Sequence, residues 1–249
     1  MLLSRALLSS GVIIPLYLFP GSPPSCAPWA PLIDAIAQNP TVPFYAIVNP
    51  NSGPGTLPVD PSYQGCIAKI KAPNVNVIGY VATWFGDTTK TAGVIADVNT
   101  YASWGSSYIP DGIFFDQADS SNVALYTQYT TLARQKFKGG TGVTVLNPGT
   151  TPTPGFYNIA DLVVTAENFF SEFSASQLVI GPTTPASKQG VILHDAPATP
   201  PTSLINTLIG TDHIGALYIT DDVQANNGNP YDSLPSQFAA FVQAVKNAQ

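Results

Sequence analysis

Eight short apolar runs, spaced by amphipathic segments, restrict this chain more than any other feature. They read VIIPLYL (12–18), PFYAIVN (43–49), NVIGYVA (76–82), GIFFDQ (112–117), GVTVLN (142–147), LVVTAE (162–167), GVILHD (190–195) and GALYITD (215–221). Their β-branched and aromatic content suits strands, and near-continuous apolarity suits strands buried on both faces. Between them lie helical patterns, PLIDAIAQ (31–38), YQGCIAKIKA (63–72), TAGVIADVNTYASW (91–104) and NVALYTQYTTLARQKF (122–137). A last one, LPSQFAAFVQAVKNA (234–248), sets Phe238, Phe241, Val242 and Val245 at the spacing of one buried face. Strand and helix in alternation imply a parallel sheet covered by helices. Eight such units in 249 residues predict a single (β/α)8 TIM barrel rather than an open doubly wound sheet. No internal linker divides the chain, so the barrel is expected over 11–249, with 1–10 a signal-peptide remnant or a disordered N-terminus.

The balance of residues narrows the partners. Only 10% of the chain is charged, the formal net charge is -6, and there are nine Lys and Arg. Such a surface has little to offer nucleic acid or an anionic membrane, and no run is long and apolar enough to span a bilayer. Low charge with 24 prolines and 20 glycines fits a loop-rich extracellular protein. The two cysteines, Cys26 and Cys66, are either one bridge of a secreted protein or two small buried thiols. The near-sequon Asn39-Pro40-Thr41 carries the excluded proline. Neither a GxGxxG nor a GxxxxGK[ST] pattern follows the first strand, and no GxSxG elbow occurs, so neither a nucleotide cofactor nor serine-hydrolase chemistry has support. His, Asp and Glu lack the local spacing of metal ligands, and no metal or other cofactor is expected.

Hydrogen-bonding side chains collect at the C-terminal ends of the runs: Tyr17, Asn49, Tyr80, Asp116, Asn147, Glu167, His194-Asp195 and Thr220-Asp221. In a (β/α)8 barrel those ends form the mouth that carries the active site. Carboxylates and amides there can grip paired hydroxyls, and Trp84, Phe85 and Phe169 can stack on a pyranose face, so the expected ligand is an oligo- or polysaccharide bound by a monomer. Asp116 and Glu167 are the best-placed acids for glycoside hydrolysis. An Asp after a strand is also a common turn-former or helix cap, and Asp221-Asp222 either line the mouth or open the next loop. Asp111, Asp161 and His213 precede their strands, at the far end of the barrel, and read as structural.

Several motifs in order carry a family resemblance: IIPLYLFPG (13–21), IVNPNSGPG (47–55), VIGYVATWFG (77–86), YASW (101–104) with DGIFFDQ (111–117), VLNPGTTP (145–152), ADLVVTAENFF (160–170) and ALYITDD (216–222). Over essentially the whole chain the sequence resembles the spherulin-4-like family, secreted fungal and slime-mould proteins that include glycoside hydrolases acting on α-1,4-linked N-acetylgalactosamine polymers. The resemblance implies a (β/α)8 barrel, an Asp-Glu pair ending strand 4 and a Glu ending strand 6. These fall on Asp116, position 117 and Glu167. The middle one is Gln117, an isostere of Glu with no proton to give, and Asn168-Phe169-Phe170 stand where the family often has a small residue and then Tyr. Two outcomes stay open: hydrolysis carried by Asp116 and Glu167, or a non-catalytic carbohydrate-binding or wall-structural protein. Neighbours on a strand face opposite sides, so Asp116 and Gln117 share the mouth only if the strand ends or bulges between them.

Overall fold

The computed structural model describes residues 9–224 and 228–249. Most of the expected N-terminal remnant therefore lies outside the described residues. All eight runs are strands: β1 (Gly11–Leu16), β2 (Phe44–Val48), β3 (Val75–Ala82), β4 (Gly112–Asp116), β5 (Val143–Leu146), β6 (Leu162–Phe169), β7 (Gln189–His194) and β8 (Ala216–Ile219). Every neighbouring pair is parallel, and β1 closes on β8 through Gly11↔Ala216 and Val12↔Leu217. The closed sheet leaves no edge strand with unpaired backbone along its length.

Side chains alternate between barrel axis and helix layer, and this parity decides what reaches the mouth. Phe115 of β4 stacks on Tyr129 of α4 (Val123–Lys136), with centroids 5.8 Å apart, so Asp116 beside it points to the axis. On β3, Gly79 lies against the ring of Tyr101 from α3 (Thr91–Ala102), where an added Cβ would sit 2.8 Å from ring atoms. Tyr80 next to it faces inward. At Gly112 the approach of β5 is closer still, and any side chain there would overlap the Val143 carbonyl.

The helix layer is less regular than the strands. α1 (Ala30–Gln38), α3 and α4 match their sequence patterns, whereas α2 (Pro61–Ile70) starts two residues earlier than expected. Asp60 caps α2 by accepting the Ser62 N–H at 2.7 Å, and Pro61 occupies the first helical position, where its missing N–H costs nothing. α7 (Phe238–Ala248) starts later than expected because Phe238 N–H closes a turn on the Pro235 carbonyl. Its four predicted apolar residues are all buried. α5 (Phe156–Ile159) and α6 (Thr202–Ile205) are single turns, the second running on into a π-type turn (Asn206–Thr211). Between β6 and β7 the described chain makes only short 3-10 turns, so the sixth unit departs from the regular strand–helix pattern.

The far end of the barrel carries the structural acids. Asp111 accepts the Val77 N–H at 2.8 Å and Asp161 the Thr144 N–H at 2.8 Å, each tying a strand start to its neighbour. Arg134 pairs with Asp161 at 3.1 Å. His213 donates from Nδ1 to the Ile209 carbonyl. Cys26 and Cys66 form a disulfide, which joins the loop after β1 to α2 across 40 residues of sequence. No described helix is long and apolar enough to cross a membrane.

Candidate active site

The strand tips bring four of the predicted side chains, Tyr80, Asp116, Asn147 and Glu167, into one hydrogen-bonded unit. The Asn147 amide, at the tip of β5, donates from Nδ2 to Asp116 Oδ1 at 2.7 Å and to Glu167 Oε2 at 2.5 Å. An amide nitrogen has two hydrogens, and here each goes to a different carboxylate, which holds the two bonded oxygens within about 5 Å of each other. Asp116 also accepts the Tyr80 hydroxyl at 2.7 Å. Glu167 accepts the hydroxyl of Tyr231 at 2.6 Å. Tyr17 packs edge-on between Tyr80 (5.4 Å) and Tyr231 (5.6 Å), completing an aromatic wall around the acids.

Glu167 reaches the axis with help from an irregularity. The β6–β7 register slips between Val164 and Ala166, which shifts the alternation of the side chains that follow, and β6 runs on to Phe169, beyond its predicted end. Gly149 approaches from the β5 loop, where its carbonyl accepts the Glu167 N–H and its own N–H binds Asn147 Oδ1. The Asn147 side chain is thus held at both ends, which fixes its amide between the carboxylates.

β4 ends at Asp116, and Gln117 follows in the left-handed region at φ 53°. That break frees position 117 from strand alternation. Its carbonyl accepts the Phe85 N–H at 2.8 Å, and Thr83 Oγ1 reaches the carbonyls of Asp116 and Gln117 at 2.7 and 2.9 Å. The Tyr126 hydroxyl supports Thr83 at 2.8 Å. Gln117 Oε1 is buried with no hydrogen-bond partner among the described residues, so it is an acceptor in want of a donor.

Burial raises Asp116 from the usual carboxylate range to about 6, and the neighbouring Glu167 charge adds to it. The Tyr80 hydroxyl, the Gln117 N–H and the Asn147 amide oppose the shift without cancelling it. Burial, with the facing carboxylates, also drives Tyr80 and Tyr231 far upward, so both remain donors. A group whose folded pKa is raised stabilises the fold below its unfolded pKa and loses that contribution as pH rises through the folded value. Asp116→Asn is therefore expected to become more stable relative to the parent as pH rises from 4 to 7, by up to about 3 kcal/mol, in urea unfolding at the two pH values. An unchanged difference would show that Asp116 titrates normally.

The remaining predicted residues divide. His194, buried at the tip of β7, pairs through Nδ1 with Asp195 Oδ2 at 2.6 Å and carries Phe169 against its ring at 4.5 Å. It lies 6.3 Å from the Tyr231 ring, at the border of the acid network. Trp84 is 53% exposed on the loop after β3, beside Phe85 at 72%. Asn49 is committed to its own loop, accepting the Gly53 N–H, and buried Thr220 accepts the Asp222 N–H. Asp221 needs correction as a mouth residue. β8 ends at Ile219, and Asp221 turns to the helix side, beside Phe241 and Pro235, with its oxygens bound by Ser236 N and Oγ. Tyr231 was not foreseen, because it comes from the long loop after β8, where no periodicity marks it. Among the described residues no three His, Cys, Asp or Glu side chains converge as a metal site.

The closed parallel barrel is a fold also found in a glycoside hydrolase. The GH18 chitinase of Pseudoalteromonas aurantia has this fold at a TM-score of 0.56 and 10% identity, over 96% of this chain and 100% of the chitinase. Residues 11–245 match the profile of spherulation-specific family 4, Spherulin4, and the chain belongs to that family. Spherulin-4 of Physarum polycephalum is 32% identical over 244 residues, which are 94% of this chain and 69% of that relative. The crystal structure of Aspergillus clavatus Sph3 in complex with GalNAc superposes at a TM-score of 0.81, with 27% identity over 97% of this chain and 98% of Sph3.

Proposed function

We infer that the chain is a secreted or cell-wall glycoside hydrolase acting slowly on a polysaccharide containing α-linked N-acetylgalactosamine. The observation that carries this reading is the Asn147 amide that bridges Asp116 and Glu167. With no proton to be had from Gln117, Asp116, raised to about 6, substitutes as the acid, holding a proton in mildly acidic medium and delivering it slowly to the glycosidic oxygen. Glu167, fixed by Asn147 and Tyr231, then faces the positive charge that develops at the anomeric carbon. Bonded oxygens no more than about 5 Å apart leave little room for an inserted water and favour attack by a carboxylate, or by an acetamido oxygen that a carboxylate orients. An inserted water needs the carboxyl groups about 6.5–9.5 Å apart. Similarity to Sph3, whose crystal structure holds GalNAc, supports the choice of sugar. The Cys26–Cys66 disulfide supports an oxidising compartment.

A second reading, a sugar-binding protein without turnover, is favoured by the amide at position 117, just beyond the strand tip that carries Asp116. An amide can hydrogen-bond a sugar but has no proton to give to a leaving oxygen. Incubation of the chain with α-1,4-linked N-acetylgalactosamine oligosaccharides, followed by reducing-end detection and a binding isotherm, separates the two. Slow release of shorter chains is expected. Binding without release would leave the second reading, and absence of binding would overturn both.

A further inference from the structure

The segments that leave Tyr17 and Asn49 carry a feature the acid network does not use. Beyond the tips of β1 and β2 they form opposite walls of an open cavity of about 490 Å³, floored by the start of α2. Phe19, two residues beyond Tyr17, stands 54% exposed on one wall. It is braced edge-on by Tyr63 at 5.7 Å, which is braced in turn by Trp29 at 6.1 Å. Isolated exposed apolar side chains are ordinary, but a supported ring over a cavity is not explained by packing alone. Polar groups share the lining: Asn51, Thr56 and Asp60.

The walls are held before any ligand arrives. The Cys26–Cys66 bridge and the bond from Lys69 Nζ to the Pro24 carbonyl (2.7 Å) fasten the β1 loop to α2. On the other side, Asn49 Oδ1 binds Gly53 N–H at 2.9 Å, and Pro50, Pro54 and Pro58 stiffen the β2 loop. A preformed site loses less freedom on binding. A braced aromatic face among amide, hydroxyl and carboxylate groups matches a pyranose, which has one apolar face and a rim of hydroxyls. No Lys or Arg lines the cavity and Asp60 does, so an anionic sugar is disfavoured.

We propose that this groove between the β1 and β2 loops is a second carbohydrate subsite, which holds neutral pyranose units of the same glycan whose other end occupies the mouth. It rests on the reading of the mouth as a glycan site, and its two walls start from mouth residues. The test compares N-acetylgalactosamine with an α-1,4-linked tetrasaccharide of it, by titration calorimetry, on the parent chain, Phe19→Ala and Thr56→Trp. The first variant removes the ring and the second fills the groove from an exposed position. In the parent the tetrasaccharide binds more tightly than the monosaccharide, and in both variants that gain shrinks about tenfold. A parent without such a gain, or either variant keeping it in full, overturns the groove while monosaccharide binding keeps the mouth reading intact. Failure of both sugars to bind the parent overturns the two together.

Discussion

Gln117→Glu is expected to raise kcat on α-1,4-linked N-acetylgalactosamine oligosaccharides by about 10²–10⁴, the usual contribution of a positioned general acid. The backbone at position 117 is already set: β4 has ended, φ is 53°, and the carbonyl is tied to Phe85 N–H and Thr83 Oγ1. Glu is the same size as Gln, so the exchange changes chemistry rather than shape. Its carboxyl would take the place of an amide whose oxygen is now buried without a partner. A carboxyl oxygen in that buried position, with no donor among the described residues to stabilise its charge, would be held protonated above the ordinary carboxylate range, as a proton donor requires. KM is expected to move little, since an amide and a protonated acid offer similar contacts to a hydroxyl. Equal kcat in parent and variant would mean that Asp116 and Glu167 suffice and that position 117 only binds.

Replacing both cysteines, Cys26→Ser with Cys66→Ser, is expected to cost about 4 kcal/mol of stability, read as a lower midpoint in urea unfolding. The bridge closes a loop of 40 residues, and releasing it returns that much freedom to the unfolded chain. The native contacts around it are numerous: both cysteines are fully buried, and the β1 loop still packs on α2 through Phe19 and Tyr63. The folded state should therefore survive the exchange with its barrel intact. A loss below about 1 kcal/mol would show that the unfolded chain is already restricted in this region, for which the Pro-rich segment between β1 and α2 would be the natural cause.

Much of this was readable residue by residue. Runs such as VIIPLYL and NVIGYVA read as strands because β-branched and aromatic residues pack well on a pleated sheet covered on both faces, and their regular alternation with helical patterns supports that reading. Asp116, Asn147 and Glu167 were visible as polar ends of apolar runs. The short helices after β5 and β7 were harder to place, since a single turn carries too few residues for a periodic pattern. Asp221 misled for a related reason: the apolar run GALYITD looked longer than β8 is, and with the strand finished at Ile219 the Asp faces the helix side.

The sequence by itself determined the eight strands, the barrel they close into and the polar residues at the strand ends. Local composition sets strand identity, and strand ends set the mouth. Only the tertiary structure decided how Asp116 and Glu167 work together. Asn147 bridges them because β4, β5 and β6 are neighbours in the closed sheet, and Tyr231 joins from a loop 64 residues beyond Glu167. The raised Asp116 likewise follows from burial and from a charge on another strand. Hydrogen bonds and desolvation depend on distance in space, and the chain order of these residues does not contain it.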